Sequence, residues 1–256
     1  IIEKKQKLLQ LLDEKKKSVI NEAVTGQKVW NGNAWRKPSE VKDSGIEWIG
    51  VIPKDWSVKK IKYLSKVISK GTTPSTEGKA LVDEGIRYLK SENIINNNVS
   101  RFPEFFIDEE TNQLLRRSIL EENDLLFVIA GASIGKTALL PKEFLPANTN
   151  QAVCFIRFKK NVNFKFLHFV TMSNGFQNMM WLNAVTSAQP NLSMTSIGDF
   201  SVPIPSQKIQ EKIVDFIETK IEDINLLTTK LIVQINKLQE YRQSIISEAV
   251  TGKLKI

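Results

Sequence analysis

The sequence is short of the residues from which most active sites are built. It holds one histidine, His168, and one cysteine, Cys154, in 256 residues. A disulfide within the chain is therefore excluded, and a reducing, cytoplasmic setting is expected. Zinc sites of the His/Cys type need more ligands than these two residues supply. A serine–histidine triad would have to use His168, which sits in the apolar stretch 166–170, and no Gly-x-Ser-x-Gly elbow is present. Carboxylates are scattered singly, without the spacing of a metal or acid–base pair. No glycine-rich dinucleotide loop follows a strand-like run. These absences argue against an enzyme and against a cofactor or metal bound by this chain. Apolar runs are all too short for a membrane span and no signal peptide opens the sequence, so no membrane partner is expected. Nor is the first residue a methionine: Ile1 opens directly into a charged helical pattern, and the sequence is expected to be a piece of a longer chain or a natural half-length one.

What is present begins with charge. Lys and Arg number 36 against 28 Asp and Glu, a formal net charge of +8, and 41% of residues are apolar. The apolar share supports a globular fold, and the cationic excess suits a polyanion, either nucleic acid or an anionic membrane surface.

A repeat brackets the chain. Glu22-Ala23-Val24-Thr25-Gly26 recurs as Glu248-Ala249-Val250-Thr251-Gly252, and sliding 1–26 onto 227–252 gives ten identities in 26 positions. Ahead of the second copy, Ile217, Ile221, Ile224, Thr228, Leu231, Ile235, Leu238, Arg242 and Ile245 step by four and three, the 3.5-residue period of a coiled-coil seam. Ser206 is a candidate N-cap after Pro203 and Pro205, and Gly252 a candidate C-terminal stop. A helix of that extent would run about 70 Å at roughly 1.5 Å per residue. Ahead of the first copy the same seam runs through Ile2, Lys5, Leu9, Leu12, Lys16 and Val19. Two such helices fit an antiparallel pair.

Between them, 27–44 reads as a polar connector and 45–205 as globular sequence. Strands are expected over 86–91, 125–130, 137–140 and 151–158, and helices over 109–115 and 163–183. Sheet and helix segments mixed without regular alternation indicate an α+β class. The expected organisation is a helix over 1–26, a connector over 27–44, a mixed α/β globular domain over 45–205 and a second helix over 206–256.

One segment tempts an enzymatic reading. Gly131-Ala132-Ser133-Ile134-Gly135-Lys136-Thr137 follows an apolar strand and resembles a phosphate-binding P-loop. The first glycine is one residue too close to the second, however, and Pro141 interrupts the stretch where a P-loop needs a helix. A P-loop-like nucleotide-binding protein stands as one alternative, and a coiled-coil assembly protein without DNA specificity as another. The same turn can instead hold Ser133, Lys136 and Thr137 beside a phosphate backbone.

Reading bases requires donors and acceptors on a supported surface, with cations on the phosphates. Four further loops offer them. Lys70 leads into Thr72, Thr73 and Ser75; Lys90, Ser91 and Asn93 lead to Asn97; Asn148, Asn150 and Gln151 enter a strand; Gln189, Asn191 and Ser193 precede the long helix. Each alone is ordinary turn chemistry.

At this point the sequence resembles a known family, the specificity subunit of type I restriction-modification enzymes, in its second half. The likeness is carried by Gly45-Ile46-Glu47-Trp48-Ile49-Gly50, Ile52-Pro53-Lys54-Asp55-Trp56, Lys60-Ile61-Lys62-Tyr63 and Gly71-Thr72-Thr73-Pro74-Ser75. It continues in 124–137, 148–151, 189–193 and Val202-Pro203-Ile204-Pro205 before the long helix. The resemblance implies a non-catalytic subunit with two target-recognition domains, each followed by a helix, the helices pairing antiparallel. Each domain would read one half of a bipartite target in double-stranded DNA. Methyltransferase subunits would dock on it and use S-adenosylmethionine; a restriction or motor subunit would bring ATP and Mg. This chain departs from that pattern in having one recognition domain, so a homodimer through the helices is an open alternative. Glu22, Val24, Thr25, Glu248, Val250 and Thr251 are the candidates for partner docking. The domain is expected to enter the major groove with strongly salt-dependent affinity.

Overall fold

The computed structural model describes residues 1–184 and 190–251. They divide into two compact units, one of residues 1–20 with the chain from Asp215 onward, the other of Asn21–Val214. In chain order, helix α1 (Ile2–Val24) is followed by strands β1 (Val29–Trp30), β2 (Trp35–Arg36), β3 (Val41–Asp43), β4 (Val51–Pro53) and β5 (Ser57–Lys60). A single-turn helix α2 (Ile61–Leu64) then precedes β6 (Ser65–Lys70), β7 (Ile86–Leu89), β8 (Ile94–Ile95), β9 (Asn98–Val99), β10 (Phe106–Ile107) and α3 (Glu109–Leu114). Next come β11 (Leu125–Val128), β12 (Thr137–Leu139), β13 (Ala147–Thr149) and β14 (Val153–Phe158). Helices α4 (Phe164–Met172), α5 (Asn174–Ala184) and α6 (Met194–Asp199), strand β15 (Ser201–Ile204) and the 44-residue α7 (Gln207–Val250) complete the order. The class is α+β, with two main sheets rather than an alternating β-α wrap.

The larger sheet, in the order β12-β11-β14-β6, is antiparallel throughout. Its central strand β11, Leu-Leu-Phe-Val, is buried at all four positions because both faces are covered. Leu126 and Val128 join Val153, Phe155, Ala138 and Leu140 in a core shared with Leu89 and Ala147 of the second sheet. On the other face Phe127 meets Phe176 of α5, which also makes edge contacts with Trp48 and Phe200. A continuous apolar run is what a doubly covered strand requires. The second sheet, β10-β7-β13, holds one parallel pair, β7 with β13.

Helix starts follow side-chain capping. Asp108 accepts from Thr111 N at α3, Asn163 from Phe166 N at α4, and Ser193 from Ser196 N at α6. The helix expected over 163–183 is divided at Ser173, whose backbone is extended and whose hydroxyl donates to the Val170 carbonyl. That local bond offers the backbone an alternative to the helical ladder. The expected connector 27–44 is also more ordered than its polar composition suggests: β1 and β2 form a hairpin, and β3 pairs with β4.

In the first unit the seam is visible residue by residue. Along α1, Ile2, Lys5, Leu9, Leu12 and Lys16 are half-buried and Val19 and Ile20 are buried, while most other positions are exposed. Along α7, Ile217, Ile224 and Ile235 are buried and Ile221, Thr228, Leu231 and Leu238 half-buried. The polar seam residue Lys5 donates to Gln234 Oε1 at 2.6 Å, the kind of contact by which a polar seam position fixes register. From Tyr241 to Val250 every residue of α7 is exposed. The proposed stop at Gly252 lies outside the described residues.

Candidate nucleic-acid interface

Strand directions bring the separate polar loops to one edge. In the larger sheet, β6 ends at Lys70 opposite Cys154, and β11 ends at Val128 opposite Val153. In the second sheet, β7 and β13 run parallel and finish together at Leu89 and Thr149. Since residues 149–153 join one sheet to the other, both sheets present these ends on the same side.

Backbone bonds stitch the loops together there. Gly71 N donates to the Asn150 carbonyl at 3.1 Å, and Asn150 N donates to the Leu89 carbonyl at 3.2 Å. Gly71 is required by this approach, because a Cβ there would overlap the Thr149 carbonyl. The hydroxyl of buried Tyr88 donates to the Thr72 carbonyl at 2.7 Å, and burial holds its pKa above the ordinary tyrosine range, keeping it a donor. Leu192 N donates to the Ile129 carbonyl, and Ala130 bridges to Asn191.

Gly131–Thr137 completes the edge as a β-hairpin, not a P-loop. Phe127 pairs with Thr137, Gly135 N donates to the Val128 carbonyl, and the residues after Lys136 enter strand β12. The helix N-terminus that would cradle a nucleotide phosphate is replaced by a strand. Gln177 of α5 holds the turn from beneath, its Nε2 donating to the carbonyls of Gly135 and Thr171. No motif marks Gln177 or Tyr88 in the sequence; the strand expected over 86–91 is the one signal near Tyr88.

Of the residues singled out for DNA contact, Lys70, Ser75, Lys136, Gln151, Asn191 and Ser193 are exposed at or beside this edge. Thr72, Thr73, Lys90, Ser91, Ser133 and Asn150 are half-buried there. The Lys90 ammonium stands 3.5 Å from the Phe105 ring centroid. Asn97 occupies a left-handed position, with Asn96, at the tip of the β8–β9 hairpin, as a tight hairpin turn demands.

Three of the expected contacts are structural instead. Asn93 is buried, its amide donating to the carbonyls of Ser100 and Pro103 and accepting from Lys90 N. Asn148 is buried and donates to Asn112 Oδ1 and the Leu115 carbonyl. Thr137 is buried against the Thr171 hydroxyl at 3.2 Å. Each satisfies polar groups that water cannot reach. Gln189 lies outside the described residues.

The two repeat copies differ sharply. Ala23, Val24 and Thr25 are buried within their own unit, and Gly26, at φ +75°, packs so closely on Pro53 and Trp56 that a Cβ would overlap the proline ring. Glu22 pairs with Lys28. Val24 and Thr25 are therefore covered within the chain itself. In the second copy, Glu248, Val250 and Thr251 are exposed.

The reactive side chains are buried rather than displayed at this edge. Cys154 is buried and burial pushes its thiol up to about 12, while burial holds the His168 imidazole down at about 4. Buried Asp124 accepts two hydrogen bonds from Arg157, at 2.9 and 2.7 Å, a structural ion pair. Among the described residues no cluster of His, Cys, Asp or Glu is arranged to hold a metal ion, and no helix is long and apolar enough to cross a membrane.

Comparison with known proteins meets this geometry from outside. A family model described as the type I restriction modification DNA specificity domain matches residues 53–237. The chain is similar to the type I restriction enzyme MjaIX specificity subunit of Methanocaldococcus jannaschii, 26% identical over 199 residues, covering 73% of this chain and 43% of that protein. To the EcoBI specificity subunit of Escherichia coli it is 24% identical over 254 residues, covering 97% and 52%. Among solved structures, the HsdS subunit from Thermoanaerobacter tengcongensis shares the fold at a TM-score of 0.61 and 12% identity, over 98% of this chain and 53% of that one. A chain from a structural study of complex assembly and conformational transition of the type I R-M system does so at 0.66 and 12%, over 97% and 55%. The chain spans about half the length of these relatives.

Proposed function

The chain belongs to the type I restriction modification DNA specificity domain family, and from that premise we propose that it is one recognition module of a specificity subunit, reading one part of a bipartite target in double-stranded DNA. The observation that carries this reading is the convergence of Lys70–Thr73, Lys90–Ser91, Ser133–Lys136, Asn150–Gln151 and Asn191–Ser193 on one edge. Lysines there suit phosphates, and the amides and hydroxyls suit base edges. A P-loop reading loses its support in the hairpin at Gly131–Thr137. The chain supplies recognition, and methyl transfer from S-adenosylmethionine falls to methyltransferase subunits docked on it. Any ATP-driven step falls to a further restriction or motor subunit.

Docking is assigned to the exposed end of α7 at Glu248, Val250 and Thr251. Support comes from the exposure of this end and from the first copy, whose matching Val24 and Thr25 are buried and whose Gly26 packs on Pro53 and Trp56. Val24 and Thr25 are withdrawn from that role.

The test is a binding selection. The chain, with its methyltransferase subunits, is mixed with duplexes carrying a randomised segment, and the bound fraction is sequenced. A short enriched motif that Lys136→Ala weakens is the expected result. Retention of all sequences alike would overturn the recognition claim.

A further inference from the structure

One side chain at this edge is displayed in a way that burial does not explain. Phe102 is 70% exposed, more than any other aromatic residue described as exposed. A single exposed apolar ring is ordinary on a protein surface, but this one is carried on a loop that holds it in place. Asn93 Nδ2 donates to the carbonyls of Ser100 and Pro103 at 3.1 and 2.8 Å, and Ser100 N donates to the Asn93 carbonyl at 2.7 Å. The Ser100 hydroxyl donates to the Phe102 carbonyl and accepts from Phe102 N. The backbone on both sides of the ring is thus pinned by a buried asparagine.

Topology places this turn at the same edge as the polar loops. Strand β10 runs antiparallel to β7 with Phe106 opposite Arg87, so the residues just before Phe106 arrive from the end at which β7 finishes. Asn93 itself binds Lys90 N, tying the Phe102 turn to the Lys90–Ser91 loop. The surroundings are cationic. Lys90 stands over Phe105, the Arg101 guanidinium over Phe144, and Arg87 donates to the Arg101 carbonyl and pairs with Glu104.

We propose that Phe102 is an apolar contact to nucleobases of duplex DNA, its ring packing against a base step or a thymine methyl while neighbouring cations hold the phosphates. The inference rests on the reading of this edge as the DNA interface. A rigid aromatic costs little entropy on binding, and an aromatic–base contact does not release counterions.

The test uses the full chain with its methyltransferase subunits, the randomised duplex pool and a salt titration. Phe102→Ala is expected to weaken binding about tenfold, leave the slope of log K against log salt unchanged, and relax base preference at one or two adjacent positions. Phe102→Leu keeps an apolar surface and should retain part of that preference. Thermal stability should be unaltered in both, since the ring is exposed. Wild-type affinity and preference in Phe102→Ala overturn the proposal, while a motif lost in Lys136→Ala still supports the interface. If the wild-type chain enriches no sequence, interface and contact fall together.

Discussion

At the scale of single residues, burial decides what a polar side chain is for. Asn148 and Lys136 were both candidates for touching DNA, yet Asn148 is fully buried between Asn112 and the Leu115 carbonyl while Lys136 is exposed. Asn148→Ala leaves buried partners unpaired and should cost about 2 kcal/mol of stability, read as a lowered melting temperature. Lys136→Ala should leave stability within about 0.5 kcal/mol and weaken DNA binding instead. His168 carries a different signature. The ring bonds the Thr137 backbone, its Nε2 has no hydrogen-bond partner, and burial holds its pKa at about 4. The unfolded chain takes up a proton near pH 6.5 and the folded chain does not until about pH 4. Stability is therefore full above pH 6.5 and falls between 6.5 and 4, by at most about 3 kcal/mol. Denaturant melts across that range should show the decline, and His168→Phe should flatten it.

At the scale of elements, the long helices were legible and the small strands were not. A 3.5-residue pattern repeated over many turns survives local accidents, which is why Ile2, Leu9, Leu12, Ile217, Ile224 and Ile235 all lie on the covered face. Strands of two or three residues such as β1, β2 and β13 carry too few positions for a period of two to emerge. The parallel pairing of β13 with β7 is a long-range choice that no local signal states. For the candidate site the loops were legible, because turn residues announce themselves, but their burial was not. Asn93 and Asn148 have the same composition signal as Asn150 and differ through partners brought in from 100–103 and 112–115. Two glycines mark where elements meet. Gly71→Ala would press a Cβ on the Thr149 carbonyl, and Gly26→Ala would press one on Pro53 while forcing a left-handed backbone. Each is expected to cost about 3 kcal/mol, seen as a lower unfolding midpoint. Gly71→Ala should also weaken DNA binding by loosening the junction between the two sheets.

At the scale of the whole molecule, the +8 charge admits two accounts of DNA affinity. In one, the summed field attracts the polyanion and any lysine is worth as much as another. In the other, particular lysines neutralise particular phosphates, each releasing its counterions and adding about 0.9 to the salt slope. Lys54 and Lys136 separate the two. Both are exposed and each removes one positive charge when replaced by alanine, but Lys54 pairs with Glu40 at 2.7 Å, beside Pro53, whereas Lys136 stands at the loop-bearing edge. A field effect predicts equal losses from Lys54→Ala and Lys136→Ala. Contact at the edge predicts that Lys136→Ala flattens the plot of log K against log salt by about one unit, and that Lys70→Ala does likewise. Lys54→Ala should leave the slope as it is. Equal slopes for all three variants would assign the affinity to charge alone and remove the edge from the account.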